Sequence, residues 1–438
     1  MSKKMLYTVF AASLIVAMIL TGCGASGTPS ATAPAVVTEP ATAPATEPVT
    51  IEYWTFGEFA NTQAMKDAIA EFQAANPNIT VDVVGKPDTE IQAGIIAGAS
   101  SGQIPDVYNI ALNVGAEMLK AGALKDISAE WNALPEDYRN QFAPGAVQAL
   151  NQGGAVYGIP YTAYATVLYR NLTVLEEAGI DPSKGIKDWA DWADQMSKVK
   201  AAGYTALPNY SVDGWLVFHF LGGVQGITNT IVDGKSSITV AQLTKAYQFL
   251  LDTKPFGTDV GPFDAAASDL FINDQMAFYE MGPWADTTFA AAAETNPNFK
   301  YDVVLMPGEI EGWSGGTHGG EFFGIAPGPN AEAALKLAVF LADKAQVAKI
   351  SAEFGGRATY NDAAMADPSL STYALLALTV EAASMGLPDA AYFQAFPLAV
   401  RQPLADNAAK ARDGVLTPEA AAQAAIDAVN AEIAKASQ

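Results

Sequence analysis

The sequence predicts an α/β protein of at least two lobes, and three observations carry that expectation. Apolar runs of strand length alternate with amphipathic runs of helix length at the start of the folded part, a pattern that builds a sheet covered by helices on both faces. A chain of 438 residues, half of them hydrophobic, has enough apolar material for more than one core. Residues 271–327 join three more strand-like runs through glycine-rich turns, so strand ends and loops converge where a ligand can bind.

The elements follow in chain order. Lys3 and Lys4 precede an apolar run over residues 5–20 that ends in Leu20-Thr21-Gly22-Cys23. A charged start, an apolar run too short to cross a bilayer comfortably and small residues before a cut describe a secretory signal peptide over 1–22. Leu-Thr-Gly-Cys resembles the bacterial lipobox, which implies that Cys23, the chain's single cysteine, is lipidated and becomes the first mature residue. Residues 23–50 are rich in Ala, Thr and Pro and lack the apolar side chains that order a segment, so they read as an extended tether above the membrane.

The folded part is expected from Ile51. Ile51-Glu52-Tyr53-Trp54 reads as a strand, Met65, Ala68, Ile69 and Phe72 fall on one helix face, and residues 79–83 alternate like a half-buried strand. Residues 90–100 read as helix, and Pro105-Asp106-Val107 opens another strand. Trp189, Trp192, Ala193 and Met196 share a second helix face behind Asp188 as N-cap, so these tryptophans are expected in the core. Leu243, Ala246, Tyr247 and Leu250 repeat the spacing. Strands are expected at 276–281, 301–306 and 322–326, the last entered through turns at Gly315-Gly316 and Gly319-Gly320. Helices follow over 331–354, 393–407 and 418–435.

The order Ile-x-x-Trp, Phe-x-x-x-Asn-Pro-x-Ile-x-Val, Ala-Ser-Ser-Gly-Gln-Ile-Pro-Asp-Val, Gly-Pro-Trp (282–284), Met-Pro-Gly (306–308) and Gly-Gly-x-x-x-Gly-Ile (319–325) resembles the family 1 solute-binding proteins of bacterial ABC importers, the maltose and oligosaccharide type. The resemblance implies a two-lobed periplasmic-binding-protein-like fold in which each lobe is a mixed sheet flanked by helices and three hinge crossings join the lobes. It implies an N-terminal lobe of 51–158 and 304–356, a C-terminal lobe of 159–303 and 357–438, and hinges near Gly158, Val303 and Arg357. It further implies an extracytoplasmic, lipid-anchored monomer that carries a mono- or oligosaccharide to ABC permease subunits with their ATPase. Arg357 is expected to fix the third crossing through hydrogen bonds.

Other classes are weaker. A formal charge of −23 argues against nucleic acid, which needs a basic patch. Gly98-Ala99-Ser100-Ser101-Gly102 matches a nucleophile elbow literally but follows a helix, and Asp233-Gly234-Lys235-Ser236 lacks the first glycine of a phosphate loop. Only His219 and His318 exist as histidine bases, no metal or cofactor motif appears, and no catalytic residue is assigned. A secreted glycan hydrolase stays open because its paired acids can lie far apart in sequence.

A sugar offers flat C–H faces and a rim of hydroxyls, so its site needs aromatic platforms with directed acceptors. Trp54, Glu58, Asn109, Asn113, Tyr161, Tyr164, Trp284, His318 and Glu321 stand near expected strand ends, and Phe393 and Phe396 match the family's C-terminal aromatic position. Trp54 can equally plug the sheet end. Glu321 departs from the aromatic or small residue of many relatives; it reads either as a contact to a hydroxyl-rich or cationic ligand, such as a polyamine, or as a solvated loop acid. Trp313 reads as a lid or a surface aromatic.

Overall fold

The computed structural model describes residues 47–210, 214–232, 235–260, 265–354, 356–388 and 397–436. Cys23, the signal peptide, all but the end of the tether, Phe393 and Phe396 lie outside them. Among the described residues, no helix is long and apolar enough to cross a membrane.

Strand β1 (Val49–Phe56) lies parallel to β2 (Ile79–Lys86) on one side and β3 (Val107–Ala111) on the other. Val49 and Thr50, expected in the tether, already pair with Ile79 and Thr80. Strand Thr317–Ile325 continues the sheet antiparallel to β3, and Ile159–Ala165 and Leu387–Pro388 pair with it in turn. Alternation along the strands divides the apolar side chains between two cores. Ile51, Tyr53, Val107 and Phe323 face helices Gln63–Ala75, Ala331–Ala342 and Lys344–Glu353, while Tyr108, Ile110 and Phe322 face Ile91 and Ile95 of helix Asp88–Ala99. The expected single helix over 331–354 is broken at Asp343, whose carboxylate accepts from the Ala345 N–H at 3.0 Å and caps the second piece.

The second sheet has Val167–Asn171 at its centre, antiparallel to Phe278–Met281 and to Tyr301–Leu305. Its core takes Trp189, Trp192 and Met196 from helix Trp189–Ala201 and Leu243, Ala246, Tyr247 and Leu250 from helix Val240–Thr253, as their spacing predicts. Asp188 caps the first of these helices through the Asp191 N–H at 2.9 Å. A parallel pair, Pro208–Tyr210 with Thr258–Val260, adds the other strand sense to this lobe.

The chain passes between the sheets later than expected at each crossing. Ile159–Ala165 belongs to the first sheet, so the first passage is at Thr166 and not at Gly158. Residues 301–305 belong to the second sheet, and the first is re-entered only at Thr317. Residues 358–376 still pack in the first lobe, and helix Ala374–Met385 makes the third passage, with Leu376 in one core and Ala382 in the other. The three passages are stitched together. The Thr166 N–H donates to the Thr317 carbonyl at 2.8 Å, the Thr317 N–H to Thr166 Oγ1 at 2.7 Å, and the Leu387 N–H to the Gly316 carbonyl at 3.1 Å.

Candidate ligand-binding site

Glu321 builds the centre of the site from a strand irregularity. The Gly319-Gly320 pair, expected as a turn, lies inside strand Thr317–Ile325, where Gly320 pairs with Ala163 and Phe322 with Pro160. Two residues, Tyr161 and Thr162, therefore stand opposite Glu321 alone, a bulge of the kind that re-aims a side chain. Gly320 permits the close approach: a Cβ there would lie 2.3 Å from the Thr162 carbonyl and 2.3 Å from the Tyr360 ring. Glu321 is 3% exposed and accepts from the Thr162 hydroxyl, so the solvated-loop reading is corrected.

The partner of Glu321 is Arg357, which sequence reasoning assigned to the hinge. Its Nη2 donates to Glu321 Oε1 at 2.5 Å and its Nη1 to Glu58 Oε1 at 2.9 Å. Arg357 and Glu321 are buried, whereas the Glu58 carboxylate, on the short helix Gly57–Asn61 beyond β1, is 42% exposed. Burial acts to lower the Arg357 pKa, but the carboxylates of Glu321 and Glu58 outweigh it and raise it, so the guanidinium stays charged. The Phe59 ring lies 4.9 Å from the guanidinium carbon and the Trp284 ring 5.8 Å, both within cation–π range.

Trp284 reaches this cluster from the other lobe. It follows strand Phe278–Met281 and starts helix Ala285–Thr295. Its ring folds back over Gly282, where a Cβ would sit 2.0 Å from it, and meets Tyr164 edge-to-face at 5.4 Å. Glu58, Trp284 and Glu321 are thus gathered around Arg357, and Tyr164 joins them through the Trp284 ring. Tyr161 lies beneath, its ring tilted by 42° against that of Phe323 at 4.3 Å, and its hydroxyl is held protonated by burial and by the nearby Tyr53 and Glu321. The Tyr161 hydroxyl and the Arg357 Nε, both buried, have no hydrogen-bond partner among the described residues.

Other expected residues sit elsewhere. Asn109 is fully buried in β3 and accepts from the Tyr53 hydroxyl at 3.1 Å, below the cluster. Trp54 points to the opposite face of the first sheet; Nε1 donates to Glu52 at 2.9 Å and Lys86 Nζ sits 4.3 Å over its ring. Asn113 lies half-buried in the turn Leu112–Val114, and His318 half-buried where the strand pairs with Ala165. Trp313, half-buried, donates from Nε1 to the Gly222 carbonyl at 3.0 Å. His219 is buried in helix Gly214–Gly223. Thr162, Phe59 and Arg357 were missed as site residues; two adjacent glycines at 355–356 were the one available sign of a tight approach before Arg357. No group of three or more His, Cys, Asp or Glu side chains able to hold a metal ion occurs among the described residues.

Residues 67–377 match the bacterial extracellular solute-binding proteins, well over half of the chain. The chain belongs to that family. Membership puts it outside the cytoplasm. It is similar to the multiple sugar-binding protein of Streptococcus mutans serotype c (strain ATCC 700610 / UA159), 26% identical over 290 residues that cover 60% of this chain and 63% of that one. It is also similar to the sn-glycerol-3-phosphate-binding periplasmic protein UgpB of Escherichia coli (strain K12), 26% identical over 172 residues, 38% of this chain and 39% of the relative. The chain thus spans less than two thirds of either relative. Among solved structures, the GacH receptor of Streptomyces glaucescens GLA.O superposes with a TM-score of 0.75 at 17% identity, covering 88% of this chain and 98% of the receptor. An ABC transporter solute-binding protein of Thermotoga lettingae TMO, bound with α-D-tagatose, gives 0.75 at 20%, covering 88% and 99%. The solute-binding protein shares the two-lobed fold of these structures.

Proposed function

We propose that this solute-binding protein takes a carbohydrate between its lobes and delivers it to an ABC permease, with no catalytic step of its own. The observation that carries the reading is the junction of Trp284 and Tyr164 from opposite lobes beside the Glu58–Arg357–Glu321 network. An aromatic face suits the C–H face of a sugar ring, and a fixed carboxylate with a guanidinium suits its hydroxyls. The relative named for multiple sugars and the structural neighbour bound with tagatose support the same reading. Trp284, Tyr164, Glu58 and Glu321 are the proposed contacts, with Tyr161 and Asn109 beneath them; Asn113, His318, Phe393 and Phe396 stay as outer candidates. A cationic ligand is the second reading; the edge-to-face pair of Trp284 and Tyr164 favours the sugar.

Ligand contacts from both lobes would stabilise a closed form, and the passages at Thr166, Gly316-Thr317 and 376–387 are the proposed hinge. Periplasmic binding proteins are the standard example of such closure, so the mechanism is inherited from the fold. Lipidation at Cys23, the tether to the membrane and a monomeric state complete the proposal. A thermal-shift screen of mono- and oligosaccharides beside spermidine and sn-glycerol 3-phosphate tests it: a sugar at a hundred times Kd should add about 2.7 kcal/mol of stability. A shift with spermidine or glycerol phosphate and with no sugar would refute it.

A further inference from the structure

We infer that Glu58 makes this site discriminate against anionic sugars, by occupying the side of Arg357 that an anionic group would otherwise take. The inference rests on the carbohydrate reading above and narrows it from sugars in general to neutral ones.

Three observations carry it. Arg357 offers one guanidinium to two carboxylates, Glu321 at 2.5 Å and Glu58 at 2.9 Å, so the network carries one formal negative charge in excess. The members are unequally accessible. Arg357 and Glu321 each keep 4% of their side-chain surface, while Glu58 keeps 42%, so an incoming group meets the carboxylate before the cation. Finally, Glu58 is not needed to neutralise the buried cation, since Glu321 and the Thr162 hydroxyl already hold the inner side.

A phosphate or uronate approaching this network meets like charge and must displace an intramolecular carboxylate to reach Arg357. The chain's formal charge of −23 adds a repelling field in the same direction. A neutral sugar instead donates hydroxyls to the outer Glu58 oxygens while leaving the ion pair intact. Glu58 is thus a specificity residue: replacing its charge leaves Nη1 of Arg357 facing an amide and turns the network neutral.

The test pairs each neutral sugar with its anionic counterpart: glucose with glucuronate and glucose 6-phosphate, and galactose with galacturonate. Titration calorimetry is run on the full chain, on Glu58→Gln and on Glu58→Ala, at two ionic strengths. Wild type should bind a neutral member at least tenfold more tightly than its anionic partner. In Glu58→Gln that ratio should shrink at least tenfold, because a charge-assisted bond to Arg357 becomes available, and the anionic arm alone should weaken with salt. Should Glu58→Gln fail to fold, Glu58→Ala reads the same ratio, and the wild-type ratio stands by itself. Parity of neutral and anionic members in wild type, or an unchanged ratio in a folded variant, overturns the inference while leaving the carbohydrate reading intact. No stabilisation by any mono- or oligosaccharide of the thermal-shift screen overturns both.

Discussion

Replacing Glu280 with Gln should make the protein more stable at neutral and alkaline pH, with no gain in acid. Glu280 is fully buried on strand Phe278–Met281, pairs across to Leu168, and lies on the strand face of Phe278, which meets Trp192 edge-on at 6.0 Å. Neither carboxyl oxygen has a hydrogen-bond partner among the described residues. Burial pushes its pKa up from 4.5 to about 8. The folded state therefore holds this proton more tightly than the unfolded state does. The associated stability is fully present below pH 4.5, is lost as pH rises, and levels off above about 8. At ~1.4 kcal/mol per pH unit, the loss at pH 7 is about 3 kcal/mol. Glutamine has the same shape and cannot ionise, so wild type and variant should agree within about 1 kcal/mol at pH 5 and diverge by about 3 kcal/mol at pH 7. Urea unfolding followed by tryptophan fluorescence at pH 5, 6, 7 and 8 measures the difference. A difference that stays constant across this range would refute the reasoning, because it would mean that Glu280 finds a partner or water when charged.

Arg357→Met should destabilise the protein by about 3–5 kcal/mol, since it strands Glu321 as a buried charge, and Arg357→Met with Glu321→Gln should lose less than the single variant; urea midpoints decide. Cys23→Ala should move the protein from the membrane fraction to the soluble extracytoplasmic fraction, and equal membrane recovery would remove the proposed anchor.

Much of the fold is legible in the sequence because it is carried by local periodicity. Met65, Ala68, Ile69 and Phe72 bury one helix face, and Trp189 and Trp192 enter the second core behind an Asp188 cap, as their spacing implies. The lobe limits were misplaced because they depend on long-range pairing: Ile159–Ala165 follows a Gly and contains a Pro, yet its hydrogen bonds go to a strand more than 150 residues away. Gly319-Gly320 signals a turn locally, and only the neighbouring Thr162 carbonyl and Tyr360 ring explain why glycine is required inside a strand. Trp284, Tyr164, Glu58 and Glu321 were candidates by residue type at strand ends. What binds them together was not legible, because Arg357 lies 299 residues from Glu58 and 36 from Glu321 and no periodic pattern relates them. Trp54 illustrates the converse: adjacent to Tyr53 in sequence, it emerges on the other face of the sheet and packs over Gly94.

The most direct measurement is titration calorimetry of Trp284→Ala beside wild type, using the sugar that gives the largest thermal shift. An aromatic platform that bridges the lobes beside Arg357 should be among the few side chains that dominate affinity, so its loss should cost about 2 kcal/mol or more, roughly thirtyfold in Kd. Wild-type affinity in a folded Trp284→Ala variant would contradict the placement of the carbohydrate at this junction.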